Sequence, residues 1–325
     1  MASPRKQDHQ RWSESELILN ISEIFKESTF DLGSNPDPSK ILVGIGDDAA
    51  VVDRPKAPVV ITTDMAVEDV HFKVNWSSAF QIGRKVAAAN LADIFAMGGK
   101  PKYLTVAMAA TGNEELSWML DVAKGIAHEA DIVGAKVVGG DLSRSEKIVI
   151  SITAIGECDK PILRSGAKVG DQIYLSNLPG WSAAGLMGLR NSREEAELQF
   201  AISEHLAPSV DYDNAEQMAL NANAMCDVSD SLLIQSNQLA EASQVAFEID
   251  GDALKVHPDF PELLKIANLL ETKVFDLILS GGEDHVFLAT GIGVKGFPIG
   301  KVVTGSGVAL KNLEKPADGW QHFKN

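Results

Sequence analysis

The sequence is short of cysteine, of positive charge and of long apolar runs. Cys158 and Cys226 are the only cysteines among 325 residues; they are too few for a disulfide framework and lack metal-ligand spacing, which fits a reducing compartment. No segment approaches the roughly 18–20 continuous apolar residues of a membrane span, and the polar start Met1–Glu16 has no apolar signal-peptide core. A cytoplasmic protein is expected. Lys and Arg total 29 against 45 Asp and Glu, a formal net charge of −16, and no basic patch interrupts that balance. Nucleic acid and anionic membrane surfaces are therefore excluded as partners.

Several catalytic motifs are also missing. There is no G-x-x-x-x-G-K-[ST] phosphate loop, no kinase H-R-D or D-F-G set, no H-E-x-x-H zinc motif and no G-x-S-x-G elbow. One G-x-G-x-x-G does occur, at Gly291–Gly296, too near the C-terminal end of the chain for a complete dinucleotide-binding unit, so it reads as a turn.

What remains is the composition of a folded globular chain, 45% hydrophobic and 23% charged, long enough for two domains. A helix is expected from a Ser13 cap, with Leu17, Ile21, Ile24 and Phe25 at helical spacing. An Ala-rich helix is expected over Ala79–Met97, stopped by Gly98-Gly99. Short apolar runs at Ile41–Val43, Val59–Thr63, Tyr103–Ala109, Ala135–Val138 and Ile148–Glu157 read as strands. The pattern restarts at Lys160-Pro161, which places a boundary between domains 1–160 and 161–325. Strands and helices mix without strict βαβ alternation, giving an α/β or mixed α+β class.

Acidic residues recur where such runs end: Asp47-Asp48, Asp64, Asp141, Asp227 with Asp230, and Glu283-Asp284, with Asp93 added from a helix. Each alone reads as a turn or cap residue. Gathered together they would raise one another's pKa and call for compensation by hard cations. Mg²⁺ takes oxygen ligands and is held by one or two carboxylates plus substrate phosphates. Glycines at 44, 46, 139, 140, 281 and 282 would let phosphates or metals approach the backbone. The joint reading is a multi-Mg²⁺ nucleotide site.

The segments Gly44–Ala50, Thr62–Phe72, Asn90–Gly98, Gly139–Arg144, Arg164–Asp171, Asp227–Asp230, Ser280–Asp284 and Gly319–Phe323 together resemble, in order, the thiamine-monophosphate kinases of the aminoimidazole ribonucleotide synthetase-like superfamily. The resemblance implies ATP-dependent phosphorylation of thiamine monophosphate to the diphosphate. It implies Asp48, Thr62, Thr63, Asp64, Asp93, Asp141, Asp227 and Asp230 as Mg²⁺ ligands, direct or through water. Gly140, Asp141, Arg164 and Ser229 would bind ATP, while His71, Glu283 and Trp320 would contact thiamine monophosphate, with no dedicated catalytic base. It also implies a homodimer whose N-terminal mixed sheets join in a barrel, and a C-terminal α/β domain completing the substrate cleft. Ser231 and Asp69 stand where the family commonly has Gly, Leu142 where it has Thr and His285 where it has Tyr; no carboxylate is lost. Another ATP-dependent synthetase of the superfamily, or a non-catalytic nucleotide- and metal-binding assembly protein, are the alternatives.

Overall fold

The computed structural model describes residues 14–27, 41–43, 50–52 and 55–313. The expected Ser13 cap, Asp48 with its glycine-rich neighbours, and Trp320 lie outside them. The helices are α1 (Glu14–Glu27), α2 (Ala79–Ala96), α3 (Leu116–Ile132), α4 (Trp181–Arg190), α5 (Gln199–Leu206), α6 (Tyr212–Ala219), α7 (Leu232–Ser243), α8 (Gly251–Lys255), α9 (Phe260–Leu269) and α10 (Val274–Ser280). The strands are β1 (Ile41–Val43), β2 (Val51–Val52), β3 (Val59–Val67), β4 (Lys100–Ala110), β5 (Lys136–Arg144), β6 (Val149–Glu157), β7 (Gln172–Leu175), β8 (Ala222–Val228), β9 (Ala246–Asp250), β10 (Val286–Gly291), β11 (Phe297–Val303) and β12 (Gly307–Lys311). The mixed α/β class is as expected.

Cα packing divides the chain into two compact units. One comprises the described parts of Met1–Pro55 with Thr63–Ala87 and Lys102–Ala154; the other comprises Lys56–Thr62, Ala88–Pro101 and the described part of Ile155–Asn325. The division falls inside β3, α2, β4 and β6, so Thr62 and Thr63 belong to different units.

The sheet order β3-β6-β4-β5 runs through the first unit, with β4 and β5 parallel from Tyr103 opposite Lys136 to Ala110 opposite Arg144. Alternation on β6 sends Ile150, Ile152 and Ala154 into the core. In α3, Met119, Val122, Ile126 and Ala130 make the buried stripe. Helices α2 and α3 meet at two glycines: a Cβ on Gly83 would sit 2.1 Å from the Val122 carbonyl, and one on Gly125 would sit 2.1 Å from the Phe80 carbonyl. Only glycine permits that approach.

In the second unit the sheet order is β12-β9-β11-β7-β10-β8, antiparallel except for the parallel β12–β9 pair. Ile173, Leu175, Phe247, Ile249, Leu288 and Ile299 form one continuous core with Leu239, Leu263 and Ile278 from the helices. The Gly291–Gly296 segment connects β10 to β11, consistent with a turn.

Two strands run further than their apolar runs. β3 continues to Val67 and β5 to Arg144, so Asp64 and Asp141 lie within strands, not at their ends. Parallel pairing with β4 carries β5 through Gly139-Gly140-Asp141 despite the poor strand propensity of those residues.

Candidate active site

In the second unit, β8 delivers Asp227 at its end, already buried, and the chain then turns through Ser229 and Asp230 into α7. Ser231 caps that helix: its backbone is extended and its Oγ accepts from the Ile234 N–H at 3.1 Å. Serine thus starts α7 at a position where the family pattern commonly has glycine. From the second half of α2 comes Asp93, whose Oδ2 accepts a 2.6 Å hydrogen bond from the Thr62 hydroxyl. Those two expected ligands are thereby joined across 31 residues of sequence.

The Gly281–His285 loop lies against the Asp227–Asp230 segment. A Cβ on Gly282 would fall 2.4 Å from the Asp230 carbonyl and 2.6 Å from that of Ser229. The Glu283 N–H donates to Ser229 O at 2.6 Å, and the His285 N–H donates to Val228 O at 3.1 Å. Both residues adopt left-handed backbone, φ 62 and 51, a conformation that persists only where its surroundings over-determine it. Asp284, between them, is the anchor: its buried carboxylate accepts from the N–H groups of Gly180 and Ser182, each at 2.9 Å, at the start of α4. Glu283 is also 3.6 Å from His205 Nδ1, which lies 3.1 Å from Ser182 Oγ. A single ring nitrogen serves both partners, so this is not a nucleophile–base–orienter relay.

His285 Nδ1 lies 3.0 Å from Asp227 Oδ2, with both side chains buried. Burial pulls the imidazole pKa down, but the hydrogen bond to Asp227 and the charges of Asp227, Glu283 and Asp93 outweigh it, and the net shift is upward. Beside them Cys226 is fully buried and its thiol is pushed up by burial and by Asp227, so it is not an activated nucleophile. Arg164 is exposed; its Nη1 donates to Gln238 Oε1 at 2.6 Å and its carbonyl accepts from Ser243 Oγ. Gly166 allows this turn to press on β8, since a Cβ there would lie 1.8 Å from the Asn223 carbonyl.

Burial pushes Asp284 up to about 6, the two backbone N–H groups offsetting only part of that cost. With a folded pKa above the ordinary 3.8, the protonated form is favoured by folding. The stability it contributes is complete below about pH 4 and is lost as pH rises through about 6. Relative to Asp284→Asn, wild-type stability is expected to fall by about 3 kcal/mol between roughly pH 3 and 7, read from urea unfolding at each pH. A flat or rising difference would contradict this account.

In the first unit, Thr63 Oγ1 and Thr153 Oγ1 are 2.8 Å apart, and Asp64 is exposed with its carbonyl accepting from Ser151 Oγ at 3.1 Å. His71 Nδ1 accepts from the Val67 N–H at 3.0 Å, so a neutral ring carries its hydrogen on Nε2. Asp69 has φ 64, the region that favours glycine, and is steadied by its N–H to Phe72 O and by Lys147 at 3.0 Å. Asp141 is exposed on β5. Its neighbour Gly140 abuts the Val106 carbonyl, which a Cβ on that glycine would approach to 2.0 Å, whereas Gly139 has open space. At Gly140, Gly281 and Gly282 the space a Cβ would take is filled by neighbouring atoms of the protein, mostly backbone.

Among the described residues no three His, Cys, Asp or Glu side chains converge closely enough to hold a metal ion by themselves. Mg²⁺ bound through a carboxylate or two, water and substrate phosphates requires no such cage, and the hydroxyl and carboxylate oxygens of Thr62, Asp93, Asp227 and Asp230 suit it chemically. His205, the pairing of His285 with Asp227 and the anchoring of the loop by Asp284 were not expected; Asp284 itself was, as one of the recurring acidic residues.

Residues 46–158 match the AIR synthase related protein, N-terminal domain. The thiamine-monophosphate kinase of Mycobacterium tuberculosis is 37% identical over 325 residues, spanning 97% of this chain and 96% of that protein. The crystal structure of the Stenotrophomonas maltophilia thiamine-monophosphate kinase superposes with a TM-score of 0.78 at 27% identity, covering 90% of this chain and 95% of its own. AaThiL complexed with AMPPCP and TMP superposes at 0.77 with 29% identity, covering 99% and 100%. With that identity sustained over nearly its whole length, the chain belongs to the thiamine-monophosphate kinase family.

Proposed function

We propose that this protein transfers the γ-phosphoryl group of ATP to thiamine monophosphate, forming thiamine diphosphate. The observation that carries the reading is the 37% identity to a thiamine-monophosphate kinase over 97% of the chain. The complex of a structural relative with AMPPCP and TMP supports the substrate pair.

Thr63, Asp64 and Asp141 in the first unit and Thr62, Asp93, Asp227 and Asp230 in the second, together with Asp48, are the proposed holders of Mg²⁺. When bound, Mg²⁺ would neutralise charge between two anionic substrates. Gly140, Asp141, Arg164 and Ser229 are assigned to ATP; the rigid guanidinium fork of Arg164 suits a phosphate. His71, Glu283 and Trp320 are assigned to the acceptor, for a cationic heteroaromatic ring pairs with a carboxylate and an aromatic face.

The acceptor is already a phosphate oxyanion near neutral pH, so direct in-line attack needs no strong base. The inert Cys226 thiol and the doubly engaged His205 Nδ1 accord with a reaction that forms no covalent intermediate. Domains 1–160 and 161–325, a homodimer and a cytoplasmic location complete the proposal. Exposed Val59, Ile61 and Met65 on one face of β3 give a second copy an apolar surface to cover, and among the described residues no helix is long and apolar enough to cross a membrane.

Purified protein with Mg²⁺ and ATP should convert thiamine monophosphate to the diphosphate with one ADP released per turnover. Turnover of purine precursors instead would favour a synthetase of the same superfamily. A chiral γ-phosphoryl group should arrive inverted; retention would require an intermediate on the enzyme.

A further inference from the structure

We infer that His285 is a positioning residue for Asp227: it fixes the Asp227 carboxylate through Oδ2 so that the other oxygen faces a cation, and it ties that carboxylate to the loop carrying Glu283. The inference deepens the proposed function and rests on the reading of Asp227 as a Mg²⁺ ligand.

An ionised carboxylate only accepts hydrogen bonds, so the 3.0 Å contact requires the hydrogen on His285 Nδ1. Both side chains are buried, 8% and 4% exposed, so bulk water does not compete for the contact while both partners are present. Without the imidazole, Asp227 would be a buried carboxylate lacking this donor and would be expected to rotate or draw in solvent. The backbone fixes the imidazole in turn. The His285 N–H donates to Val228 O, one residue from Asp227, and β10 leaves the loop with Val286 opposite Val228 and Phe287 opposite Asp227. The left-handed φ of 51 aims the side chain back across that pairing. His285 and Glu283 occupy the same strained turn, whose carboxylate anchor Asp284 lies between them. The carboxylate assigned to metal and the one assigned to the acceptor are thus set by one short segment.

The test uses the full-length protein saturated with AMPPCP and follows Mn²⁺ binding by electron paramagnetic resonance, a readout independent of turnover. His285→Ala should weaken Mn²⁺ by about 10–100-fold, the usual effect of removing a partner that orients a ligand. His285→Asn should recover affinity to within about threefold, because Asn places an N–H donor near the Nδ1 position and tolerates positive φ. Asp227→Asn should weaken Mn²⁺ at least as much as His285→Ala. Wild-type affinity in His285→Ala alongside a weakened Asp227→Asn would overturn the positioning role. Wild-type affinity in Asp227→Asn would overturn the metal reading itself and the inference with it. Should His285→Ala fail to fold, ¹⁵N–¹H spectra of the wild-type histidines, assigned by comparison with His285→Asn, still decide: a protonated Nδ1 at His285 is expected, and a bare Nδ1 would overturn the inference.

Discussion

Asp64→Ala is expected to slow phosphorylation of thiamine monophosphate by on the order of 10³-fold while the protein stays folded. The side chain is exposed within β3, and the part of Asp64 that accepts from Ser151 Oγ is its carbonyl, which alanine retains. Substitutions of that kind shift stability by less than about 0.5 kcal/mol. The catalytic loss follows from the proposed ligand role: metal stabilisation of transition-state charge supplies several kcal/mol, and each tenfold in rate corresponds to about 1.4 kcal/mol. Steady-state rates and urea unfolding of the same preparation separate the two effects. ATP binding without turnover in the wild type, altered by the substitution, would favour a non-catalytic binding protein; an unaltered rate would remove Asp64 from the metal ligands, and a collapse of stability would show that Asp64 is a structural residue.

Local signals carried much of this fold. The Ala-rich stretch with its Gly98-Gly99 stop gave α2 to within a residue, because Gly98 takes φ 72 and ends the helix for a reason visible in the sequence. The short helices α6, α8 and α10 were not anticipated. Val-Phe-Asp-Leu-Ile-Leu-Ser in α10 is as apolar as a buried strand, and only its packing decides between them. The reach of β3 and β5 was hidden for the same reason: pairing with a neighbouring strand, not local propensity, extends each past its apolar run. At the site, acidic recurrence pointed to Asp93 and Asp227 but could not show what holds them. Thr62 meets Asp93 across 31 residues and His285 meets Asp227 across 58. Both contacts are products of tertiary structure, and in sequence His285 was only a departure from a family pattern.

The same dependence on close backbone approach makes Gly282→Ala the substitution with the largest expected combined effect on stability and activity. Gly to Ala at an unstrained, open position stabilises a protein by about 0.4–1 kcal/mol, because the unfolded chain loses freedom. Gly139, where a Cβ meets nothing within 4 Å, supplies that comparison. At Gly282 the new methyl would sit 2.4 Å from the Asp230 carbonyl and 2.6 Å from the Ser229 carbonyl, both backbone atoms that no rotamer change can move. Either the Gly281–His285 loop lifts or the Ser229–Asp230 turn gives way. Overpacking of this kind costs about 1–3 kcal/mol. Separation also stretches the 2.6 Å hydrogen bond from the Glu283 N–H to Ser229 O, displacing Glu283 and Asp230 together. A misplacement of about 1 Å in a substrate-positioning group costs on the order of 10²-fold in rate. Gly282→Ala should therefore lose both stability and kcat/KM while Gly139→Ala loses no stability, with urea unfolding reporting the first and steady-state kinetics the second. Equal stabilities for the two variants would mean that the loop and the turn have room to separate at no cost, and that the two carboxylates are not held by their contact.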